Sequence, residues 1–397
     1  MRALLCLNFD FSFWIDPNSQ TGREDERAKT YNRTKRVLFV VELVYALAFL
    51  LILLVSGASS ALARSLEILA TNIWLTVLLY VFIVGVAYDV IAVPLEFYGG
   101  FVHEHRYGQS TQTFSAWAWD QIKSKVVGFA IAAPLIEALY WLLRAYPHRW
   151  WLIASVLFIA FAVVMANIAP VLLMPIFYKF IPLRDEELKK RLLALCEKVN
   201  TKVRGVYEMD MSRKTRAANA ALVGLGNTRR IVLGDTLFER YEPDEIEAIL
   251  AHELGHHMNW DMWKGLLFQS AISMLGFFVA SVVLNAYGAS FGSRGPADIT
   301  SFPLLVLTCA GVALVFLPVS NAFSRRLERR ADSFALTITG DPAAFVSMML
   351  KLGEQNLSEF EPNPIVEFIL YSHPSVKRRI AHARRMFPAF EGKAAEG

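Results

Sequence analysis

Apolar residues along this chain are gathered into long blocks, separated by short polar loops and one long polar insert. A helix that crosses a bilayer needs roughly 17–25 predominantly apolar residues. Six segments meet that need: Val37–Ser56, Ile73–Val93, Val126–Leu143, Trp151–Tyr178, Leu266–Tyr287 and Phe302–Ser320. Trp150, Trp151, Trp263 and Tyr287 fall near their ends, where amphipathic rings favour the headgroup level. The stretch Met1–Trp14 is apolar but interrupted by Asp10, and Asp16-Pro17 and charged residues follow it. It reads as an interfacial segment rather than a cleaved leader or a full span.

The insert Lys179–Lys264 has different periodicities. From Asp185 to Lys202, Leu188, Leu192, Leu193, Leu195 and Val199 recur at helical spacing among charges, so an amphipathic helix is expected. Ala217–Val223 and Ile231–Leu233 flank Gly224-Leu225-Gly226-Asn227 and read as two short strands joined by a glycine-rich turn. Pro243-Asp244-Glu245 supplies the first turn of a helix that continues through His252-Glu253-Leu254-Gly255-His256.

Six crossings place the N-terminus, the loop after the second span, the insert and the C-terminal tail on one face. Arg23, Arg27, Lys29, Arg33, Lys35, Arg36, Arg106, Lys123 and Lys125 lie on that side, against Arg64, Arg144, Arg149 and Arg294 on the other. The positive-inside rule makes the shared face cytoplasmic. Glu42, Asp89 and Glu137 fall inside spans, where an acid must face either a watery interior or a polar partner on another helix.

Composition agrees with this plan. The chain has 397 residues, is 55% apolar and has a mean hydropathy of +0.37. A net charge of +4 gives no reason to expect nucleic acid as a partner. Cys6, Cys196 and Cys309 are scattered without metal-ligand or redox spacing, so neither a disulfide framework nor a thiolate metal site is expected.

The chemistry centres on His252 and His256. Residues four apart share a helix face, so both imidazoles can point at one cation, and Glu253 can reach a water there as general base. His257 points about 100° away from His256 and reads as a neighbour. A catalytic zinc usually has three protein ligands, and the segment Ser324–Asp332 offers Glu328 as the third. Asp332, four residues on, would accept a hydrogen bond from a ligand imidazole and fix its tautomer. The hairpin of the last two spans returns the chain to the same face, so these ligands can meet. His103-Glu104-His105 reads as adjacent solvated polar residues, not a second metal site.

With these residues the chain resembles the M48 integral-membrane metallopeptidases, specifically the Ste24-type CAAX prenyl protease branch, from about Val37 to Phe387. The likeness is carried by HELGH at His252–His256, SRRLERRAD at Ser324–Asp332 and YSHPSVKRRI at Tyr371–Ile380. Asn219-Ala220, Arg229–Leu237 and the loop Pro94–Gln112 add to it. The resemblance implies His252, His256 and Glu328 as ligands of one Zn2+ and Glu253 as the catalytic glutamate. It implies Asn219 as a substrate-backbone contact, on a strand that pairs with an extended peptide. His373 and Arg379 are implied at the active site, stabilising substrate or the tetrahedral oxyanion. Enzymes of that branch have seven spans around an intramembrane chamber, and this chain has no convincing additional N-terminal span.

The expected fold is therefore mainly α. It is a polytopic helical membrane protein carrying a small α+β gluzincin-type zinc protease domain, built from the polar insert and the C-terminal tail. The expected divisions are 1–36 as an N-terminal cytoplasmic or interfacial segment, 37–178 as a four-span region, 179–265 as the protease insert, 266–320 as a two-span hairpin, and 321–397 as the C-terminal part of the protease domain. The expected activity is hydrolysis of a peptide or protein substrate, which the resemblance implies is one prenylated at a C-terminal cysteine, at the cytoplasmic face of a bacterial cytoplasmic membrane or an endoplasmic reticulum. An HtpX-like quality-control protease and a non-catalytic membrane scaffold with a structural zinc are the alternatives. Glu253 counts against the scaffold, since a structural site needs no general base.

Overall fold

The structure is a computed structural model that describes residues 21–224 and 226–388, so the reading of Met1–Trp14 lies outside the described residues. Helix α1 (Thr21–Val55) runs from a polar, charged half into the first apolar block without a break. After it come α2 (Ala58–Leu69), α3 (Ile73–Phe97), α4 (Phe114–Ala145) and α5 (Trp150–Ile168). Helix α2, absent from the periodicity reading, buries Ala63 and Leu66. Its Ser59 hydroxyl donates to the Thr300 carbonyl at 2.8 Å, tying it to the turn before the last long helix.

In the insert, β1 (Phe180–Pro182) leads to α6 (Glu186–Lys198), β2 (Val206–Met209), β3 (Ala220–Val223), β4 (Arg230–Gly234) and α7 (Pro243–Met258). Asp185 caps α6 by accepting from the Glu187 and Leu188 amides. The expected hairpin is present as the antiparallel pair β3–β4, and Gly224 adopts φ +89° in its turn. The short strands β1 and β2 were not expected. They complete a mixed sheet of order β1-β2-β4-β3, with β2 and β4 parallel and β3 at an edge.

The chain then bends at Trp260, whose φ is 58°, into α8 (Asp261–Tyr287). Helix α9 (Phe302–Thr339) follows, then α10 (Pro342–Asn356), α11 (Pro364–Leu370) and α12 (Val376–Met386). The apolar block Phe302–Ser320 and the charged segment Ser324–Asp332 are parts of one 38-residue helix. Its Leu, Arg, Glu and Ala residues are good helix formers, so the helix continues past the apolar block.

Among the described residues six helical stretches are long and apolar enough to cross a membrane, each containing or overlapping one expected block: Asp25–Val55, Ile73–Arg106, Phe114–Ala145, Trp150–Phe177, Asp261–Phe291 and Ile299–Thr339. Asp89 ion-pairs with Lys125 of α4 at 2.7 Å, a polar contact between neighbouring helices. A single apolar core joins the insert to the tail. It is built from Leu192 of α6, Ile231 and Leu233 of β4, Leu250 and Leu254 of α7, Phe345 of α10 and Ile380 of α12. Side chains of this kind contribute about 1.5–3 kcal/mol each when fully buried. They hold α7 and α12 in fixed relation to α9, and those three helices carry the candidate site.

Candidate active site

Helix α7 begins at Pro243, and the Glu245 carboxylate accepts a hydrogen bond from the Glu242 amide at 2.8 Å. Ser347 and Lys351 of α10 also hold Glu245, at 2.5 and 2.7 Å, which anchors the helix start. At its other end α7 lies against α9 with almost no separation. A Cβ on Gly255 would stand 2.9 Å from the Cα and carbonyl oxygen of Ala331. Only a residue without a side chain permits that approach, and it brings the two histidines of α7 to Glu328 of α9.

His252 Nε2, His256 Nε2 and the Glu328 carboxylate form a nearly equilateral triangle. The two nitrogens are 3.2 Å apart, His256 Nε2 is 3.2 Å from Glu328 Oε1, and His252 Nε2 is 3.3 Å from Oε2. Ligands bound tetrahedrally at 2.0–2.1 Å stand about 3.3 Å from one another, so these residues fit one small divalent cation. Two imidazoles and a carboxylate also form one of the usual donor sets of a catalytic zinc site. Among the described residues this is the cluster that could hold a metal ion.

Each imidazole is oriented from behind. His252 Nδ1 is 3.0 Å from Asp332, which is fully buried, and Arg379 donates to the same carboxylate from Nε at 2.7 Å and from Nη2. His256 Nδ1 is 3.1 Å from Asp261 Oδ2, on the first turn of α8. Sequence spacing did not single out Asp261, because it follows His256 by five residues across a helix break. The acids also set the proton affinity of the metal-free imidazoles. Burial lowers the pKa of His252, but Asp332 and Glu328 outweigh it and hold it above the ordinary 6.5. At His256 burial acts the same way, and Asp261 and Glu328 raise the pKa well above that value.

The other expected residues fall into place unevenly. Glu253 is half-buried, and its carboxylate makes no hydrogen bond or ion pair among the described residues. His373 Nε2 lies 3.3 Å from Glu328 Oε1, and its Nδ1 meets the Ser372 hydroxyl at 2.9 Å. Arg379 reaches the site from its interior side: it is 4% exposed, bound to Asp332, with Nη1 3.8 Å from Glu328. Asn219 stands one residue ahead of β3, and its carbonyl accepts from the Gly234 amide at 2.8 Å. Its side-chain oxygen is buried without a hydrogen-bond partner among the described residues, and β3 packs on α7.

His257 lies outside the triangle; burial, then Arg229, lowers its pKa. The His103–His105 turn is solvated only in part: His105 is exposed as expected, whereas His103 is buried. His103 is 1% exposed and stacks on Tyr31, Glu104 accepts from the Tyr31 hydroxyl, and both nitrogens of His105 meet backbone carbonyls. Helix α1 packs over this turn, which a reading of local polarity does not reveal.

Residues 182–387 match the profile of peptidase family M48, and residues 20–179 match that of the CAAX prenyl protease N-terminal region with five membrane helices. The chain is 32% identical over 362 residues to the uncharacterised metalloprotease YhfN of Bacillus subtilis, covering 90% of this chain and 85% of the relative. It is 32% identical over 308 residues to CAAX prenyl protease 1 of Saccharomyces cerevisiae, covering 72% and 67%. The crystal structure of S. mikatae Ste24p aligns with a TM-score of 0.82 at 25% identity, over 91% of this chain and 89% of that one.

Proposed function

The chain belongs to peptidase family M48, as a membrane metallopeptidase of the CAAX prenyl protease type, and we propose that it cleaves a peptide bond with a single zinc ion held by His252, His256 and Glu328. The observation that carries this reading is the 3.2–3.3 Å ligand triangle, with Glu253, next in sequence to His252, making no hydrogen bond or ion pair among the described residues.

Zinc in such a site acts as a Lewis acid, polarising a carbonyl and lowering the pKa of a water. Glu253 takes the proton of the attacking water as its oxygen adds to the carbonyl carbon. The same carboxylate then returns a proton to the amine nitrogen as the C–N bond breaks. His373, beside Glu328, donates a hydrogen bond to the carbonyl oxygen as it gains negative charge. Asp332 and Asp261 keep both imidazoles in the tautomer that presents Nε2, and Arg379 holds Asp332 ionised and in place. The free edge of β3 accepts the substrate as an added extended strand, with Asn219 contacting its backbone.

The substrate we propose is a protein with a prenylated C-terminal cysteine, cut at the cytoplasmic face of the membrane. The test compares cleavage of a farnesylated CAAX peptide, its unprenylated form and a denatured membrane protein, with products mapped by mass spectrometry. Preference for the farnesylated peptide supports the proposal, and preference for the denatured protein replaces it with a quality-control role. Glu253→Gln should keep its zinc and lose cleavage of every substrate; undiminished turnover in that variant sinks the mechanism.

A further inference from the structure

Helix α11 exposes an apolar face that nothing covers among the described residues. Ile365, Phe368 and Ile369, at i, i+3 and i+4, are 69%, 54% and 38% exposed, while Glu367 on the other side is 2% exposed and accepts from the Ser375 amide. Three side chains fix the height of this helix and of Tyr371 just after it against the membrane spans. Asn321, the first residue past the apolar block of α9, donates from Nδ2 to the Ile369 carbonyl at 2.6 Å. Arg36, the last charge before the apolar part of α1, donates to the Tyr371 hydroxyl at 2.9 Å. Arg325, one turn beyond Asn321, donates to the Glu367 and Tyr371 carbonyls, and its guanidinium lies 5.8 Å from the centre of the Phe368 ring.

The polar–apolar boundary of two spans thus coincides with α11. On the apolar side of that boundary, Val37 and Val40 of α1 and Val315 and Val319 of α9 are exposed, as are the apolar residues of α11. On the polar side sit Arg36 and Arg325. An apolar helix face at this level, with cations above it, has the arrangement of an interfacial helix. We propose that α11 lies in the membrane surface, with Ile365, Phe368 and Ile369 resting among the acyl chains of the leaflet on the active-site side. The same segment continues into Tyr371 and His373, so the bilayer sets the height of the residue beside Glu328. This inference rests on the membrane reading and not on peptidase turnover.

Photolabelling tests it without activity. The full chain, as the Glu253→Gln variant, is placed in phosphatidylcholine vesicles containing a lipid with a diazirine on its acyl chain, and adducts are mapped by mass spectrometry. Adducts on Pro364–Leu370 should come within about threefold of those on Val37–Val44 and exceed those on Glu186–Lys198 about tenfold or more, since only acyl-level residues meet the probe. The double substitution Ile365→Asp, Phe368→Asp should remove labelling here and leave that of Val37–Val44. Two results overturn the proposal: background labelling of Pro364–Leu370 in the parent chain, or labelling that a farnesylated peptide abolishes. The latter assigns the face to the substrate's lipid chain instead of the bilayer.

Discussion

The Nδ1 atom of His256 and the carboxylate of Asp261 meet at 3.1 Å across the bend that joins the HELGH helix to the next membrane helix. Asp261 is 4% exposed, so it acts on the imidazole with little screening by water. Asp261→Ala should weaken metal binding about 10–100-fold, the usual cost of losing the group behind a ligand. Competition with a chromogenic chelator measures this. Retained affinity would reduce Asp261 to a helix-start residue.

Gly255 makes a second prediction. Because a Cβ there would meet the backbone of Ala331 at 2.9 Å, Gly255→Ala forces α7 and α9 apart. Overpacking of this kind costs about 1–3 kcal/mol, and metal content should fall with it as Glu328 moves from the histidines. Gly265→Ala is the control, since nothing lies within 4 Å of that added methyl. It should be neutral or raise stability by about 0.5–1 kcal/mol. Melting temperature and bound metal, read together on both variants, decide the matter.

Arg36 joins the first long helix to the segment that carries His373. It donates to Glu359 at 2.5 Å and to the Tyr371 hydroxyl at 2.9 Å, and Glu359 is buried. Arg36→Ala leaves that carboxylate without its cation, at about 1–3 kcal/mol. Cleavage should drop about tenfold, equivalent to ~1.4 kcal/mol in the barrier, with metal content unchanged. Arg36→Lys should recover part of the rate. Equal loss of metal and rate would mean a general structural defect rather than displacement of His373.

The pH dependence of metal retention follows from the imidazoles. In the metal-free chain both His252 and His256 titrate above their ordinary 6.5, because Asp332, Asp261 and Glu328 outweigh burial. A proton on either blocks its lone pair, so competition begins above pH 6.5 and strengthens as pH falls. Below the folded pKa values, affinity should drop about tenfold per pH unit for each histidine that titrates. For the metal-free protein the sign is opposite. The protonated imidazoles contribute stability that is complete below pH 6.5 and lost as pH rises through their folded pKa values. Melting curves with and without metal between pH 5 and pH 9 should therefore diverge toward alkaline pH.

What the sequence determined by itself was whatever depends on local periodicity. Six apolar blocks announced the six helices that, among the described residues, are long and apolar enough to cross a membrane, because a bilayer rewards length and hydropathy regardless of neighbours. His252 and His256, four apart on one helix, announced a metal face, and Gly224–Asn227 announced the β3–β4 turn. Glu328 was legible because a two-span hairpin must return to the face it left.

Tertiary structure decided what depends on contacts between distant segments. Strands β1 and β2 are three and four residues long and exist only through pairing with one another and with β4, so no local pattern marks them. Helix α2 was likewise fixed by packing at the far end of the spans. Asp261 and Arg36 became part of the site's surroundings through a bend and through a contact spanning 335 positions, neither of which has a sequence period. The fit of Gly255 against Ala331, on which the ligand distances rest, is a property of two helices together.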